Sequence, residues 1–216
     1  MVALGDVTFG WAALAMGLRA VSYWRASGGG RVTRDALLAA LKDAGQTRHL
    51  GGGGDGCNDI DERFGVGRRH LHLTTMWGFG LCFAATCVAT VMDHLFGWVA
   101  PYSWYSLPVV LGTLGDIGLM AGTAGLVAIK FRTDRDPEAT GRWGMDLGLL
   151  ALLHLTALTG LALLFWRHTP AMGSLLAIHL GFVYALFVTL PYGKMVHGVY
   201  RLLALVRHHA ERANNP

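Results

Sequence analysis

Five stretches of this chain read as apolar helix long enough to cross a lipid bilayer, and no other feature limits its possible folds as severely. A helix needs about 20 apolar residues to span the ~30 Å hydrocarbon layer, inside which every backbone amide must bond within its own segment or sheet. The stretches are about Gly5 to Trp24, His70 to Trp98, Leu107 to Lys130, Met145 to Trp166 and Met172 to Val206. They predict an all-α integral membrane protein, a five-transmembrane-helix bundle forming a single membrane domain over residues 1–216. Composition agrees, since 53% of the 216 residues are hydrophobic and only 15% are charged.

The first stretch is the most polar, with Asp6 at its start and Arg19 near its end. A secretory signal needs positive charge before its apolar core, and Met1 to Thr8 has none, so the segment reads as a retained helix. The last stretch is longer than a membrane is thick. Pro191 interrupts it, freeing the carbonyl of Phe187 and predicting a kink.

Positive residues fix the orientation. Arg25, Arg31, Arg34, Lys42, Arg48, Arg63, Arg68 and Arg69 crowd the polar segment 25–69, which reads as a cytoplasmic docking loop with a short helix from Arg34 to Ala44. Lys130, Arg132, Arg135 and Arg142 occupy the segment 130–144, and Lys194, Arg201, Arg207 and Arg212 come after Pro191. The opposite connections hold only Arg167, beside an aromatic belt of Trp98, Tyr102, Trp104, Tyr105 and Trp166. The N-terminus is thus expected outside and the C-terminus in the cytoplasm. The net charge of +4 stems from this asymmetry and predicts no binding to nucleic acid. Three cysteines, Cys57, Cys82 and Cys87, are wrongly spaced for a disulfide framework, a zinc site or an iron–sulfur cluster. Any cluster would belong to a partner chain.

The chemistry rests with histidine. His72, His94, His154, His179 and His197 lie in or at the ends of the expected spans, where an ionisable group is costly and marks a cofactor, ion path or proton relay. His179 and His197 are 18 residues apart, five whole turns and ~27 Å, so an unbroken helix places them on one face near opposite membrane surfaces. His72 and His94 are 22 residues apart, about six turns, on an antiparallel helix. His72 then meets His197 at the inner side and His94 meets His179 at the outer side. Facing imidazoles at one depth suit bis-histidine haem b, so two such pairs predict two haems.

His154, at mid-span, is the alternative to His94 opposite His179, and His70 the inner alternative to His72, on a different helix face. Arg68, Arg69, Lys194 and Arg201 ring the inner pair as candidate partners for haem propionates, with Arg167 outside, although positive-inside charge accounts for all of these except Arg201. Asp116, in the middle of the third span, reads either as a proton or quinone group or as an interhelical hydrogen bond. Cys82, Cys87, Gly112, Gly115, Gly118 and Gly122 read as helix packing.

The runs GGGGDGCN, RRHLHLTTMWGFGLCFAAT, GWVAPY, SLPVVLGTLG and LPYGKMVHGVYR resemble the membrane portion of the citrate/tricarballylate utilisation protein B family, over almost the whole chain. The resemblance implies a haem and iron–sulfur protein that reoxidises a partner flavoprotein dehydrogenase and passes electrons to the quinone pool of the bacterial inner membrane. Family members typically carry cysteine-rich clusters ahead of this part. None are present here, which implies iron–sulfur clusters and FAD on partner chains, or a longer protein. The plan of five helices with two histidines on the last also resembles the haem-b gamma subunit of respiratory nitrate reductase, by analogy of architecture. The expected function is therefore a di-haem electron-transfer subunit of an oxidoreductase complex. Its rivals are a haem-free membrane anchor and a His/Asp-lined transporter for metal ions or protons.

Overall fold

The computed structural model of the chain describes residues 2–48, 50, 57–58, 64–132 and 142–214. Among them run seven α-helices: α1 (Val2–Ala26), α2 (Arg34–Gly45), α3 (Gly67–Phe96), α4 (Leu107–Arg132), α5 (Arg142–Phe165), α6 (Met172–Thr189) and α7 (His197–Asn214). A two-residue antiparallel pairing of Cys57–Asn58 with Phe64–Gly65 precedes α3. Four helices among the described residues are long and apolar enough to cross a membrane, namely α3, α4, Gly144–Phe165 of α5, and α6. The protein has the character of a multi-pass membrane protein. Bulky apolar side chains such as Leu114, Ile117 and Ile178 point outward, while small ones lie between helices, the arrangement expected where lipid is the solvent.

Residues 172–206 do not form the single helix expected from sequence. Helix α6 stops at Thr189 and α7 starts at His197. Pro191 has no N–H to offer Phe187, and its ring blocks the continuing helix. The chain turns instead, with the Thr189 carbonyl accepting from Tyr192 N at 3.1 Å and Gly193 N at 2.7 Å, and passes through a 3-10 turn, Lys194–Val196. His179 and His197 therefore sit on separate helices, and the five-turn register between them is lost.

The chain folds as two compact units, Met1–Gly56 with Tyr184–Pro216, and Cys57–Val183. In the second, α3 and α4 pack antiparallel along a seam of small residues. A Cβ added at Gly78 would stand 2.6 Å from the Leu119 amide nitrogen, and one at Gly115 would stand 2.7 Å from that of Cys82. Gly122 meets Thr75 and Leu71, and Gly112 meets Ala85, so the glycines expected to serve packing do so. Helix α3 ends where Gly97 turns left-handed at φ +65°, its N–H reaching the Asp93 carbonyl while Trp98 reaches that of Met92.

In the first unit α1 runs alongside residues 187–200 in the same chain direction. Phe9 meets Phe187, Trp11 meets Tyr192, and Tyr23 stacks on Tyr200 with ring centroids 4.9 Å apart. Arg19 donates to the Tyr200 hydroxyl at 3.4 Å and lies over the Tyr192 ring. Thr33 caps α2 by accepting from Ala36 N, and the small face of Ala36, Ala40 and Asp43 is buried, α2 packing on α7.

Candidate functional site

Helix α4 carries Asp116, Thr123 and Lys130 at seven-residue intervals, so all three fall on one stripe, ~10 Å apart along the axis. Antiparallel α5 answers each in turn. Lys130 Nζ pairs with Asp146 Oδ2 at 3.0 Å, Thr123 Oγ1 lies 2.9 Å from His154 Nδ1, and Asp116 closes on the bare backbone of Gly160. A Cβ at residue 160 would stand 2.8 Å from Asp116 Oδ2 and 3.3 Å from His179 Cε1, so the carboxyl and the imidazole of α6 converge there. On its other side Asp116 accepts from the Cys82 thiol, with Sγ 3.2 Å from Oδ1. Cys82, expected only to pack, thus also bonds the mid-span carboxyl.

Hydrogen bonding fixes the form of the histidines. The Thr123 hydroxyl is within bonding distance of the Leu119 carbonyl at 2.7 Å, and Thr159 of the Leu155 carbonyl at 2.7 Å. With its proton so committed, each hydroxyl oxygen accepts from the imidazole beside it, Thr123 from His154 Nδ1 at 2.9 Å and Thr159 from His179 Nδ1 at 3.1 Å. His94 Nδ1 faces the Thr90 carbonyl at 3.1 Å and His197 Nδ1 the Lys194 carbonyl, and a carbonyl only accepts. In all four, Nδ1 is the donor, and the lone pair of the neutral ring falls on Nε2.

The expected pairs fare differently. His94 lies in the last turn of α3, its side chain 47% exposed and 3.7 Å from Asp93, whereas His179 is tied to α5. His72 is half-buried on α3, one turn after Arg68 and Arg69, in the unit of residues Cys57–Val183. His197 opens α7, four residues before Arg201, in the other unit. Arg167 is engaged with the loop ahead of α4, donating to the Tyr102 carbonyl at 2.6 Å and lying over the Trp104 ring. Among the described residues no group of three or more His, Cys, Asp or Glu side chains gathers to hold a metal ion.

Sequence reasoning passed over Thr123, Thr159 and Gly160. The signal was present in the interval of seven, which puts Thr123 on the stripe of Asp116 and Lys130. Thr159 announced itself only by adjoining Gly160, where a neighbouring helix can come close.

The sequence profile of Citrate utilization protein B matches residues 1–216. A Citrate utilization protein B of Escherichia coli is 48% identical over 177 residues, which are 82% of this chain and 47% of that protein. The chain thus spans about half the length of that curated relative. No solved structure matches it. With the profile matched over its whole length and this identity over most of it, the chain belongs to the Citrate utilization protein B family.

Proposed function

We propose that the chain is a di-haem cytochrome b-type membrane subunit serving citrate or tricarballylate utilisation. It passes electrons from a flavoprotein and iron–sulfur dehydrogenase on the cytoplasmic side to quinone in the bilayer. The observation that carries this reading is the common setting of Nδ1 in His94, His154, His179 and His197, each within hydrogen-bond reach of a carbonyl or hydroxyl oxygen, which assigns the proton to Nδ1 and the lone pair to Nε2. Imidazoles that ligate iron take this form, because a hydrogen bond from the distal ring nitrogen orients the ligand and raises its basicity. A haem-free anchor has no need of one tautomer repeated on four helices.

His72 and His197 would hold the inner haem and His94 and His179 the outer, with His154 the alternative at the outer site. Arg68, Arg69 and Arg201 would meet propionates by charge-assisted hydrogen bonds. Haem, when bound, supplies one-electron carriage at a potential tuned by its axial ligands. Asp116, bonded by Cys82 and lying beside His179, would hold or pass a proton near the acceptor.

Helix α1 would be the fifth span. Its 25 residues rise ~37 Å, its Val7, Leu14 and Leu18 face outward, and its charge at Arg19 is met by Tyr192 and Tyr200. Five spans would give the plan of the nitrate reductase gamma subunit. The chain would sit in the bacterial inner membrane with its N-terminus outside and with 25–69 as the partner's docking loop.

A dithionite-reduced minus oxidised spectrum of the detergent-purified chain tests this, with stoichiometry from the pyridine haemochrome. The expected result is a b-type alpha band and two haems per chain. A colourless chain expressed with ample haem would overturn the reading.

A further inference from the structure

Thr159 is held more rigidly than a lone hydroxyl. It is β-branched, with few rotamers open to it in a helix, and its Oγ1 lies 2.7 Å from the Leu155 carbonyl and 3.0 Å from that of Thr156. Its lone pairs are left to face His179 Nδ1 at 3.1 Å, and the His179 ring also hydrogen-bonds the Thr156 backbone carbonyl. The next residue is Gly160, whose missing side chain lets the imidazole lie against α5, with Asp116 on the far flank of the same gap. The opposite tautomer would need Thr159 to withdraw its proton from the helix carbonyls and turn it to Nδ1. One turn and a half earlier on α5, His154 meets Thr123 of α4 in the same donor–acceptor order.

From this we infer that Thr159 is a positioning residue for His179, fixing its tautomer and ring plane so that Nε2 is presented for ligation. The inference rests on the proposed haem ligation by His179. A hydrogen-bonded Nδ1–H makes the imidazole a stronger donor to ferric iron, so Thr159 holds the midpoint potential of that haem down. The hydroxyl is the active element; the methyl of Thr159 only fills space.

The test compares the purified full chain with Thr159→Val, which keeps the shape and loses the hydroxyl, and with Thr159→Ser, which restores it. In Thr159→Val one haem's midpoint should shift positive and its low-spin ferric resonance should move, with the second haem unchanged; Thr159→Ser should return both toward wild type. Loss of one haem in Thr159→Val, kept in Thr159→Ser, supports the same role. Identical potentials and resonances in wild type and Thr159→Val would overturn it while leaving haem ligation standing. A second readout does not depend on the variant folding. In the reduced, histidine-15N-labelled wild-type chain, the His179 signals, identified by their loss in His179→Gln, should show a protonated Nδ1 bonded to a hydroxyl; protonation at Nε2 instead would overturn the inference. A wild-type chain without haem would sink the ligation reading separately, because the nitrogen spectrum still reports on Thr159.

Discussion

His209 Nε2 lies 2.9 Å from Asp43 Oδ2, fastening the tail helix α7 to α2 across 166 positions of sequence. Asp43 is 7% exposed at its side chain and also meets Arg48 at 3.4 Å. Burial pushes its carboxyl up, but the hydrogen bonds from His209 and Arg48 outweigh burial and hold it below its ordinary value of 3.8. A depressed carboxyl stabilises the folded form above that ordinary value, and the contribution is lost as pH falls through the depressed one. We predict that Asp43→Asn speeds amide exchange in α2 at neutral pH, and that the difference from wild type shrinks below pH ~4. Equal exchange in α2 at pH 7 would remove Asp43 as the fastener.

The α3–α4 seam makes a sharp prediction about glycine. Gly78→Leu has no space to enter and should lower stability by about 1–3 kcal/mol or more. Gly80→Ala, two residues away with nothing within 4 Å of an added Cβ, should leave stability unchanged or raised by up to ~1 kcal/mol. Thermal unfolding in one detergent compares them, and equal midpoints would contradict the seam.

Lys130 and Asp146 are largely withdrawn from solvent, at 11% and 25% side-chain exposure. Removing one partner takes from the other its 3.0 Å ion pair, a loss of about 3–5 kcal/mol when a pair is fully buried and less here. Lys130→Met should therefore lower the melting temperature clearly, and Lys130→Met with Asp146→Leu should recover part of the loss. A double variant as unstable as the single one would mean that the pair is not what couples α4 to α5.

Gly160→Val would place side-chain carbon where Asp116 and His179 now converge. On the proposed ligation, the expected result is loss of the one haem assigned to His179, with the second retained, read by the pyridine haemochrome. Unchanged haem content would show that the convergence is not needed for ligation.

Four of the five expected apolar helices and the packing glycines were legible in the sequence because both obey local rules, apolar length and the absence of a Cβ. Gly112, Gly115, Gly118 and Gly122 sit where an interval of three or four demands. The break after Thr189 was only half legible. Pro191 signalled a disturbed helix, but whether a proline kinks or ends a helix depends on the residues beyond it, and here Gly193 and the 3-10 turn complete the stop. The partners of His154 and His179 were hidden for another reason. They depend on the register between α4, α5 and α6, which no single helix encodes, and threonine inside a helix ordinarily means no more than a bond to its own backbone, which Thr123 and Thr159 also make.

The polar stripe of α4 also bears on how the chain enters the bilayer while it is being made. An aspartate at the centre of a lone span costs about 2.5–3.5 kcal/mol on insertion, and α4, less apolar than α5, has less apolar drive to offset it. Helix α3 is synthesised first and already offers the Cys82 thiol to Asp116 along a seam that admits no lipid. Helices α3 and α4 would accordingly leave the translocon together as a hairpin. Thr123 and Lys130 would wait at its edge for α5, so the order of synthesis matches the order in which partners are needed.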